Sequence, residues 1–159
     1  MRIGHGFDVH QFERDKPLIL CGVLIPYEFG LKAHSDGDVA IHALCDAMLG
    51  ALALGDIGQH FPDTEDQNKN RPSQEFLLEI NKLLAKQQYQ ISNLDLTIVL
   101  QLPKLAPFIS KMKTKLASIL SLNESQVNIK ATTTEYLGYI GRKEGIAAHA
   151  VVLLNKINI

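Results

Sequence analysis

Neither sign of charge is in excess in this chain, and long apolar runs are missing. There are 16 Lys and Arg residues against 17 Asp and Glu residues, for a net charge of −1. No global basic field therefore attracts nucleic acid, and no long Lys/Arg run provides a local one. Because no uncharged apolar run approaches membrane-span length, no transmembrane helix is expected. The N-terminal residues lack the pattern of a signal peptide, and the cytoplasm is the expected compartment.

Cysteine is also scarce. The only two, Cys21 and Cys45, both lie inside apolar stretches. This placement predicts two small buried side chains with free thiols in a reducing compartment. A disulfide between them is the alternative.

The bulk composition indicates a folded domain. Hydrophobic residues make up 46% of the 159 residues and charged residues 21%. These proportions predict one globular domain spanning residues 1–159, with a substantial core and no extensive disorder.

Hydrophobic periodicity predicts strands interleaved with helices. Strands are expected over residues 2–10, 18–25, 91–101, 127–131 and 146–155. Helices are expected from Asp38 to about Leu54, from Ser73 onward, and after Pro107, with Asp38 and Ser73 as N-caps and Gly55 as a stop. Residues 55–72 form a long polar loop. Some strand pairs are joined by turns too short for a parallel crossover. The fold class is therefore α+β, a two-layer sandwich in which about three helices pack on one face of a mixed β-sheet.

Two polar side chains interrupt the first helix, which is otherwise apolar nearly all round. His42 and Asp46 are four residues apart and share one helix face. Asp8 and His10 are two apart on the first strand, so both side chains point to the same side. Asp8, His10 and His42 are a plausible zinc set with an open fourth position, and Asp46 is a candidate acceptor for the ring N–H of His42. The alternative is an ordinary buried histidine that is satisfied by hydrogen bonds.

Three other segments carry groups that suit phosphate. Residues 34–38 precede a helix N-terminus, where N–H groups favour an anion, although the carboxylates there also fit an ordinary cap. Residues 130–135 end a strand with three threonines and Glu135, which fits a phosphate cradle with a Mg²⁺ ligand or simply a β-favouring run. Residues 138–142 place Tyr139 and Arg142 on a Gly-flanked turn, suited to phosphate or to a surface ion pair.

Six ordered markers together resemble the cyclodiphosphate synthase family of the non-mevalonate isoprenoid pathway. The markers are RIGHGFDVH at 2–10, AHSDGD at 33–38, LGDIG at 54–58, FPDT at 61–64, KATTTE at 130–135, and GR at 141–142 followed by EG at 144–145. The resemblance covers essentially the whole chain. It implies conversion of 4-diphosphocytidyl-2-C-methyl-D-erythritol 2-phosphate to 2-C-methyl-D-erythritol 2,4-cyclodiphosphate with release of CMP.

The resemblance also implies roles for individual positions. Asp8, His10 and His42 match zinc ligands, and Glu135 matches the ligand of a Mg²⁺ or Mn²⁺ that bridges the diphosphate. The positions expected to act in catalysis are His34, Thr133 and Glu135. The substrate-contacting positions are Asp8, His10, His34, Ser35, Asp56, Ile57, Gly58, Phe61, Pro62, Asp63, Thr64, Glu65, Leu100, Gln101, Leu102, Pro103, Lys104, Leu105, Ala106, Ala131, Thr132, Thr133, Thr134, Glu135, Tyr139 and Arg142.

Within that set, Asp56 and Gly58 match contacts to the sugar alcohol, and residues 61–65 match a flexible loop. Residues 100–106 and 131–133 match cytidine and phosphate segments. The family forms homotrimers with sites at the subunit interfaces. Tyr139 and Arg142 match the trimer axis, where some members bind isoprenoid diphosphates; Tyr139 stands where phenylalanine is common, and its hydroxyl makes that position more polar.

Two other functions use the same residues. A zinc hydrolase would place water on the metal, would give a linear product and would tolerate other leaving groups. The second alternative is non-enzymatic: a trimer whose metal is structural and whose axis binds a regulatory ligand. A closed, four-ligand metal site would favour it, whereas the sequence offers three convincing ligands, which favours an open site.

Overall fold

The computed structural model describes residues 1–157 and contains two β-sheets and five helices within that range. The strands are β1 (Arg2–Arg14), β2 (Leu18–Leu20), β3 (Val23–Ile25), β4 (Phe29–Leu31), β5 (Tyr89–Val99), β6 (Val127–Thr132) and β7 (Gly145–Lys156). The helices are α1 (Val39–Ala51), α2 (Ile57–His60), α3 (Ser73–Lys86), α4 (Ile109–Leu120) and α5 (Gly138–Gly141), with short 3₁₀ turns at 66–68, 106–108 and 124–126. None of the described helices has the length and apolar character needed to cross a membrane.

The main sheet has the strand order β4-β1-β7-β5-β6. Only β5 and β6 pair in parallel, and α4 lies in the connection between them, whereas β1, β4, β5 and β7 pair antiparallel. Helix α1 packs across β1 and β7, α4 packs against β6, and α3 lies on both helices. This confirms the predicted α+β class, with a mixed sheet and three long helices.

The segment predicted as one strand over residues 18–25 is two strands. Cys21 and Gly22 both have positive φ, at 51° and 71°. Two such residues in succession make a tight hairpin turn, so β2 folds back and pairs with β3. Strand β1 also runs four residues beyond the predicted end, because β4, which the periodicity did not predict, pairs with its second half.

Two helix ends differ from the prediction. Helix α1 ends at Ala51 rather than about Leu54, because Ala53 takes a φ of 57° and the N–H groups of Ala53 and Leu54 turn back to carbonyls of the last turn. Helix α3 starts at Ser73, and its N-cap is Pro72 with no side-chain cap bond. The N-cap role predicted for Ser73 is therefore wrong, since its hydroxyl faces other partners that are described below.

The N-cap predicted for α1 is confirmed. Asp38 is fully buried and accepts from the backbone N–H of Ile41 at 3.1 Å. It also accepts from the N–H groups of Cys21 and Gly22 at 3.0 and 2.7 Å. Burial raises the pKa of Asp38 to about 6, against the opposing effect of these donors. One carboxyl group thus fixes the β2–β3 turn to the start of α1. Cys21 and Cys45 are buried free thiols, as predicted.

Helix α1 lies against the backbone of β1 at two glycines. A Cβ at Gly4 would come within 1.9 Å of the carbonyl oxygen of Ala47, and one at Gly6 within 1.9 Å of that of Ala43. Any side chain at either position would therefore collide with helix backbone. The missing side chains allow β1 and α1 to lie much closer than ordinary packing permits.

This contact predicts opposite effects for two Gly→Ala substitutions. Gly4→Ala should lower the free energy of unfolding by about 3 kcal/mol, because the methyl group forces α1 away from β1. Gly50→Ala is the matched control: Gly50 is exposed on α1, and a Cβ added there would meet no heavy atom nearer than 4.0 Å. It should raise the free energy of unfolding by about 0.5–1 kcal/mol through helix propensity. Urea denaturation of both variants tests this, and equal effects would contradict it.

Candidate functional site

Three side chains converge where β1 passes the start of α1. Asp8 and His10 share one face of β1, as their spacing predicted, and His42 projects from α1. The Oδ2 atom of Asp8 lies 3.1 Å from Nδ1 of His42 and 3.4 Å from Nε2 of His10. The two histidine nitrogens are 3.2 Å apart. These three atoms, each of which can donate a lone pair to a metal ion, therefore form a nearly equilateral triangle, here called the donor triangle.

Neighbouring backbone groups orient two of these donors. Nδ1 of His10 lies 2.8 Å from the carbonyl oxygen of Val9, which can only accept, so Nδ1 carries the proton and Nε2 presents a lone pair. The other oxygen of Asp8, Oδ1, accepts from the N–H of Val9 at 2.8 Å. Both side chains are thus held with an uncommitted lone pair, on Nε2 of His10 and on Oδ2 of Asp8, turned toward His42.

The triangle fits a tetrahedral metal ion. Two ligand atoms at about 2.0–2.1 Å from zinc at a tetrahedral angle are about 3.3 Å apart, which agrees with the three observed separations. Two imidazoles and one carboxylate are a common donor set for zinc that leaves the fourth position open. Burial lowers the pKa of His10, and the charge of Asp8 opposes this effect less strongly. His10 is thereby held in the neutral form that binds metals.

Asp46, which was predicted to accept a hydrogen bond from the His42 ring, binds a different group. Its Oδ1 accepts from the N–H of Ile57 at 2.7 Å, and so it fixes the start of α2 to α1. The second ring nitrogen of His42 instead faces the hydroxyls of Ser73 and Ser35, at 2.9 and 3.2 Å. The prediction for Asp46 is therefore wrong, because the free amide at the start of α2 takes its carboxylate.

A cavity of about 290 Å³ opens beside the triangle. Predicted site residues on its wall are His10, His34, Ser35, His42, Ile57, Gly58, Phe61 and Asp63. Sequence reasoning missed four further wall residues, Lys32, Ala33, Asn68 and Phe76. Lys32 was detectable as a cation two residues before His34, whereas Phe76 is one of several apolar residues of α3, and nothing in the sequence marks it as a wall residue.

The loop that follows α2 folds over this cavity. The Phe61 ring packs on Phe76 at 4.6 Å, and the Arg71 guanidinium lies over both rings. Asp63 approaches Nε2 of His34 to 3.7 Å across the opening. Asp56 caps α2 by accepting from the N–H of Gln59 at 2.9 Å and does not line the cavity, and neither do Pro62, Thr64 and Glu65.

The start of α1 is a filled cap and not a vacant anion site. The N–H groups of Gly37, Asp38 and Ile41 donate to the side chains of Ser35, Asp36 and Asp38, respectively. Of the two interpretations of residues 34–38, the ordinary cap is the one observed. His34 and Ser35 nevertheless reach the cavity wall.

A second cavity, of about 280 Å³, lies at the ends of β5 and β6. Six of the seven residues 100–106 line it, together with Ala131, Thr132 and Thr133. Leu102 is the exception and is 38% exposed. Two segments that are separated by more than 20 residues in the chain, and that were predicted to act on the same ligand, are therefore brought to one cavity.

The remaining predicted residues follow β6. Glu135 is exposed and interacts with the hydroxyl of Thr133 at 3.2 Å. Thr134 donates its hydroxyl to the carbonyl of Leu137 at 2.6 Å and lines a separate cavity on the open face of the sheet. Of the three threonines, Thr132 and Thr133 line the cavity at the ends of β5 and β6. Tyr139 also lines that sheet-face cavity. Arg142 pairs with Glu144 at 2.6 Å, which is the surface ion pair considered as its alternative role.

The two main cavities share no lining residue, and their strands are separated in the sheet by β7. The metal donors belong to β1 and α1, whereas the second cavity belongs to β5 and β6. One chain thus presents two separate and chemically different cavities.

Comparisons with known proteins agree with this geometry. The YgbB family profile matches residues 1–155. A 2-C-methyl-D-erythritol 2,4-cyclodiphosphate synthase of Francisella philomiragia subsp. philomiragia is 64% identical over 156 residues, which cover 98% of each chain. The bifunctional IspDF of Campylobacter jejuni superposes with a TM-score of 0.94 at 47% identity, over 98% of this chain and 42% of that longer one. A 2C-methyl-D-erythritol-2,4-cyclodiphosphate synthase in a CDP-bound form superposes with a TM-score of 0.90 at 40% identity, over 97% of this chain and all of the other.

The electrostatics of the triangle can be tested by histidine titration. In metal-free protein, His10 should titrate below its ordinary pKa of 6.5, because burial disfavours the imidazolium. Asp8→Asn removes the charge that favours the imidazolium, so the pKa of His10 should fall further in that variant. NMR titration of the ring resonances measures the pKa of His10 in both proteins. A higher pKa in the Asp8→Asn variant would show that the Asp8 charge does not favour the imidazolium, and would contradict this prediction.

Proposed function

The chain belongs to the YgbB family, and we propose that it carries out the family's cyclisation at a composite site. The cavity beside the triangle contributes the metal half of this site, and the cavity at the ends of β5 and β6 contributes the nucleotide half. The reaction converts 4-diphosphocytidyl-2-C-methyl-D-erythritol 2-phosphate to 2-C-methyl-D-erythritol 2,4-cyclodiphosphate and releases CMP. The observation that carries the proposal is the triangle of Asp8, His10 and His42. Its donor atoms have the spacing of a zinc site, and His10 and His42 lie on the wall of a cavity.

The chemistry is an intramolecular phosphoryl transfer. An oxygen of the 2-phosphate attacks the β-phosphorus, the bond from that phosphorus to the oxygen shared with the α-phosphate breaks, and CMP leaves with the electron pair. The nucleophile is already ionised, so no strong base is required. The main barrier is the approach of two anionic groups in line, which charge neutralisation and fixed orientation lower.

The residues divide this work between them. Asp8, His10 and His42 would hold a divalent ion, which would supply positive charge next to the phosphates. His34 and Ser35 lie on the same wall and are placed to contact phosphate oxygens, and Lys32 adds a cation. Ile57, Gly58 and the loop from Phe61 enclose the sugar alcohol and limit the access of water, which would give a linear product.

The second cavity suits the nucleotide. Leu100, Leu105 and Ala106 offer apolar contacts to a base, and Gln101, Lys104, Thr132 and Thr133 offer polar ones. CDP was bound to the solved relative described above. Glu135 follows Thr133 at the end of β6, and we assign it as the residue that would hold a Mg²⁺ or Mn²⁺, which would neutralise charge on the diphosphate.

A complete site then requires a second subunit. The open face of the main sheet carries apolar side chains, with Ile3 71% and Phe7 45% exposed. Such a surface is typical of a protein interface. A closed homotrimer that buries this face would bring the metal half of one subunit to the nucleotide half of the next.

Incubation with the cytidine substrate and Mg²⁺ tests the reaction directly. Phosphorus NMR should detect a cyclic diphosphate and an equal amount of CMP. A linear phosphorylated product would identify a zinc hydrolase.

His42→Ala should remove zinc, measured by elemental analysis, and abolish turnover while the circular dichroism spectrum is unchanged. Full zinc content in that variant would refute the donor assignment, and zinc loss with full turnover would leave the metal a structural role only.

The shared site predicts complementation between two inactive variants. His42→Ala breaks the metal half and Thr133→Val breaks the nucleotide half. When equal amounts are unfolded and refolded together, about one site in four should be intact by random assembly in a closed ring. About a quarter of wild-type activity should therefore return, whereas each variant refolded alone stays inactive. Mixed trimers, demonstrated by native mass spectrometry, that recover no activity would place both halves on one subunit.

A further inference from the structure

One ring nitrogen of His42 belongs to the donor triangle, and the other points into the protein. Nε2 lies 2.9 Å from the hydroxyl oxygen of Ser73, which is fully buried at the first residue of α3. A hydroxyl has one hydrogen to donate and two lone pairs to accept. The direction of this hydrogen bond therefore depends on where the hydrogen of Ser73 goes.

Asp36 takes that hydrogen. The Ser73 hydroxyl donates to Oδ1 of Asp36, and the Ser73 backbone N–H donates to Oδ2 at 3.1 Å. Oδ1 also accepts from the N–H of Asp38 at 3.2 Å, which fixes the carboxylate against the start of α1. With its only hydrogen committed to a carboxylate, the Ser73 oxygen can face His42 only as an acceptor. Nε2 of His42 must then carry a hydrogen, and in the neutral ring this leaves Nδ1 with its lone pair.

We infer that Ser73 is a positioning residue: its hydroxyl, oriented by Asp36, fixes the His42 tautomer that directs the Nδ1 lone pair toward Asp8 and His10. In the opposite tautomer, Nδ1 would carry a hydrogen at the point where the three donors converge, and the metal would have to displace it. The inference goes beyond the proposed function, although its consequence for metal affinity rests on the metal site proposed there.

Ser73 is better suited to this role than the other hydroxyl near Nε2. The Ser35 oxygen is farther away, at 3.2 Å, and it already accepts from the N–H of Gly37. Ser35 also lies on the cavity wall, where substrate is expected, whereas Ser73 is shielded from solvent. The hydroxyl held by a carboxylate on a buried helix start is the one that can keep a constant orientation with and without substrate.

The first test is spectroscopic and needs no metal. In zinc-free protein, at a pH at which the His42 ring is neutral, two-bond ¹H–¹⁵N correlation of the ring should show the Nε2–H tautomer alone. Ser73→Ala removes the acceptor, and the spectrum should change to a mixture of tautomers. Ser73→Thr keeps the hydroxyl and should restore the wild-type pattern. Should Ser73→Ala not fold, Ser73→Cys replaces it, because a thiol of similar size is a weak acceptor.

The second test is zinc affinity, measured by competition with a chromophoric chelator. Ser73→Ala should bind zinc about 10–100-fold more weakly, the range typical for loss of a partner of a ligating histidine, and Ser73→Thr should stay near the wild-type value. Ser35→Ala separates the two hydroxyls. An affinity loss confined to Ser35→Ala, an unchanged Ser73→Ala variant, or an Nδ1–H tautomer in the wild type would each overturn the inference. Zinc binding that survives in His42→Ala would instead refute the proposed metal site.

Discussion

The relative positions of Asp8, His10 and His42 depend on how closely α1 lies on β1. At Gly4 and Gly6 the helix backbone occupies the space in which a side chain would stand. Strand β1 continues past this contact to Asp8 and His10, and the residue next to Ala43 on α1 is His42. A helix held at ordinary packing distance would carry His42 away from the strand. The same contact therefore fixes both the core and the size of the donor triangle.

Carboxyl groups that are buried, as in Asp38, or half-buried, as in Asp36 and Asp46, hold the surroundings of the triangle in place. Asp38 joins the β2–β3 turn to α1, Asp46 joins α1 to α2, and Asp36 joins α1 to α3 through Ser73. Each carboxyl group accepts from backbone N–H groups, so its burial is compensated. The segments that surround the cavity are thereby attached to the same helix that supplies His42. The loop over the cavity is held by the contact between the Phe61 and Phe76 rings and by Asn68, whose amide donates to the carbonyl of Pro62 at 2.9 Å.

Periodicity was sufficient where one local pattern decides the structure. The two-residue spacing of Asp8 and His10 predicted their shared face, and the apolar helix from Val39 predicted that His42 is largely buried. It failed where a residue distant in the chain determines the hydrogen-bond partner of a side chain. Nothing local in the sequence distinguishes Asp46 as a partner of His42 from Asp46 as a partner of Ile57, or Ser73 as a cap from Ser73 as a hydrogen-bond acceptor for His42. The hairpin at Cys21 and Gly22 was missed because an apolar run continues on both sides of its turn. Family resemblance supplied the link between residues 100–106 and 131–133, which no spacing rule connects.

Zinc binding by Gly6→Ala tests most directly whether the close helix–strand contact positions the metal donors. At a temperature where circular dichroism shows the variant to be folded, its zinc affinity should fall at least about tenfold, since a displacement of His42 by a fraction of an ångström distorts the donor triangle. Gly50→Ala, on the exposed side of the same helix, should bind zinc as the wild type does. A folded Gly6→Ala protein with unchanged zinc affinity would contradict this account, because the donors would then be held independently of the glycine contact.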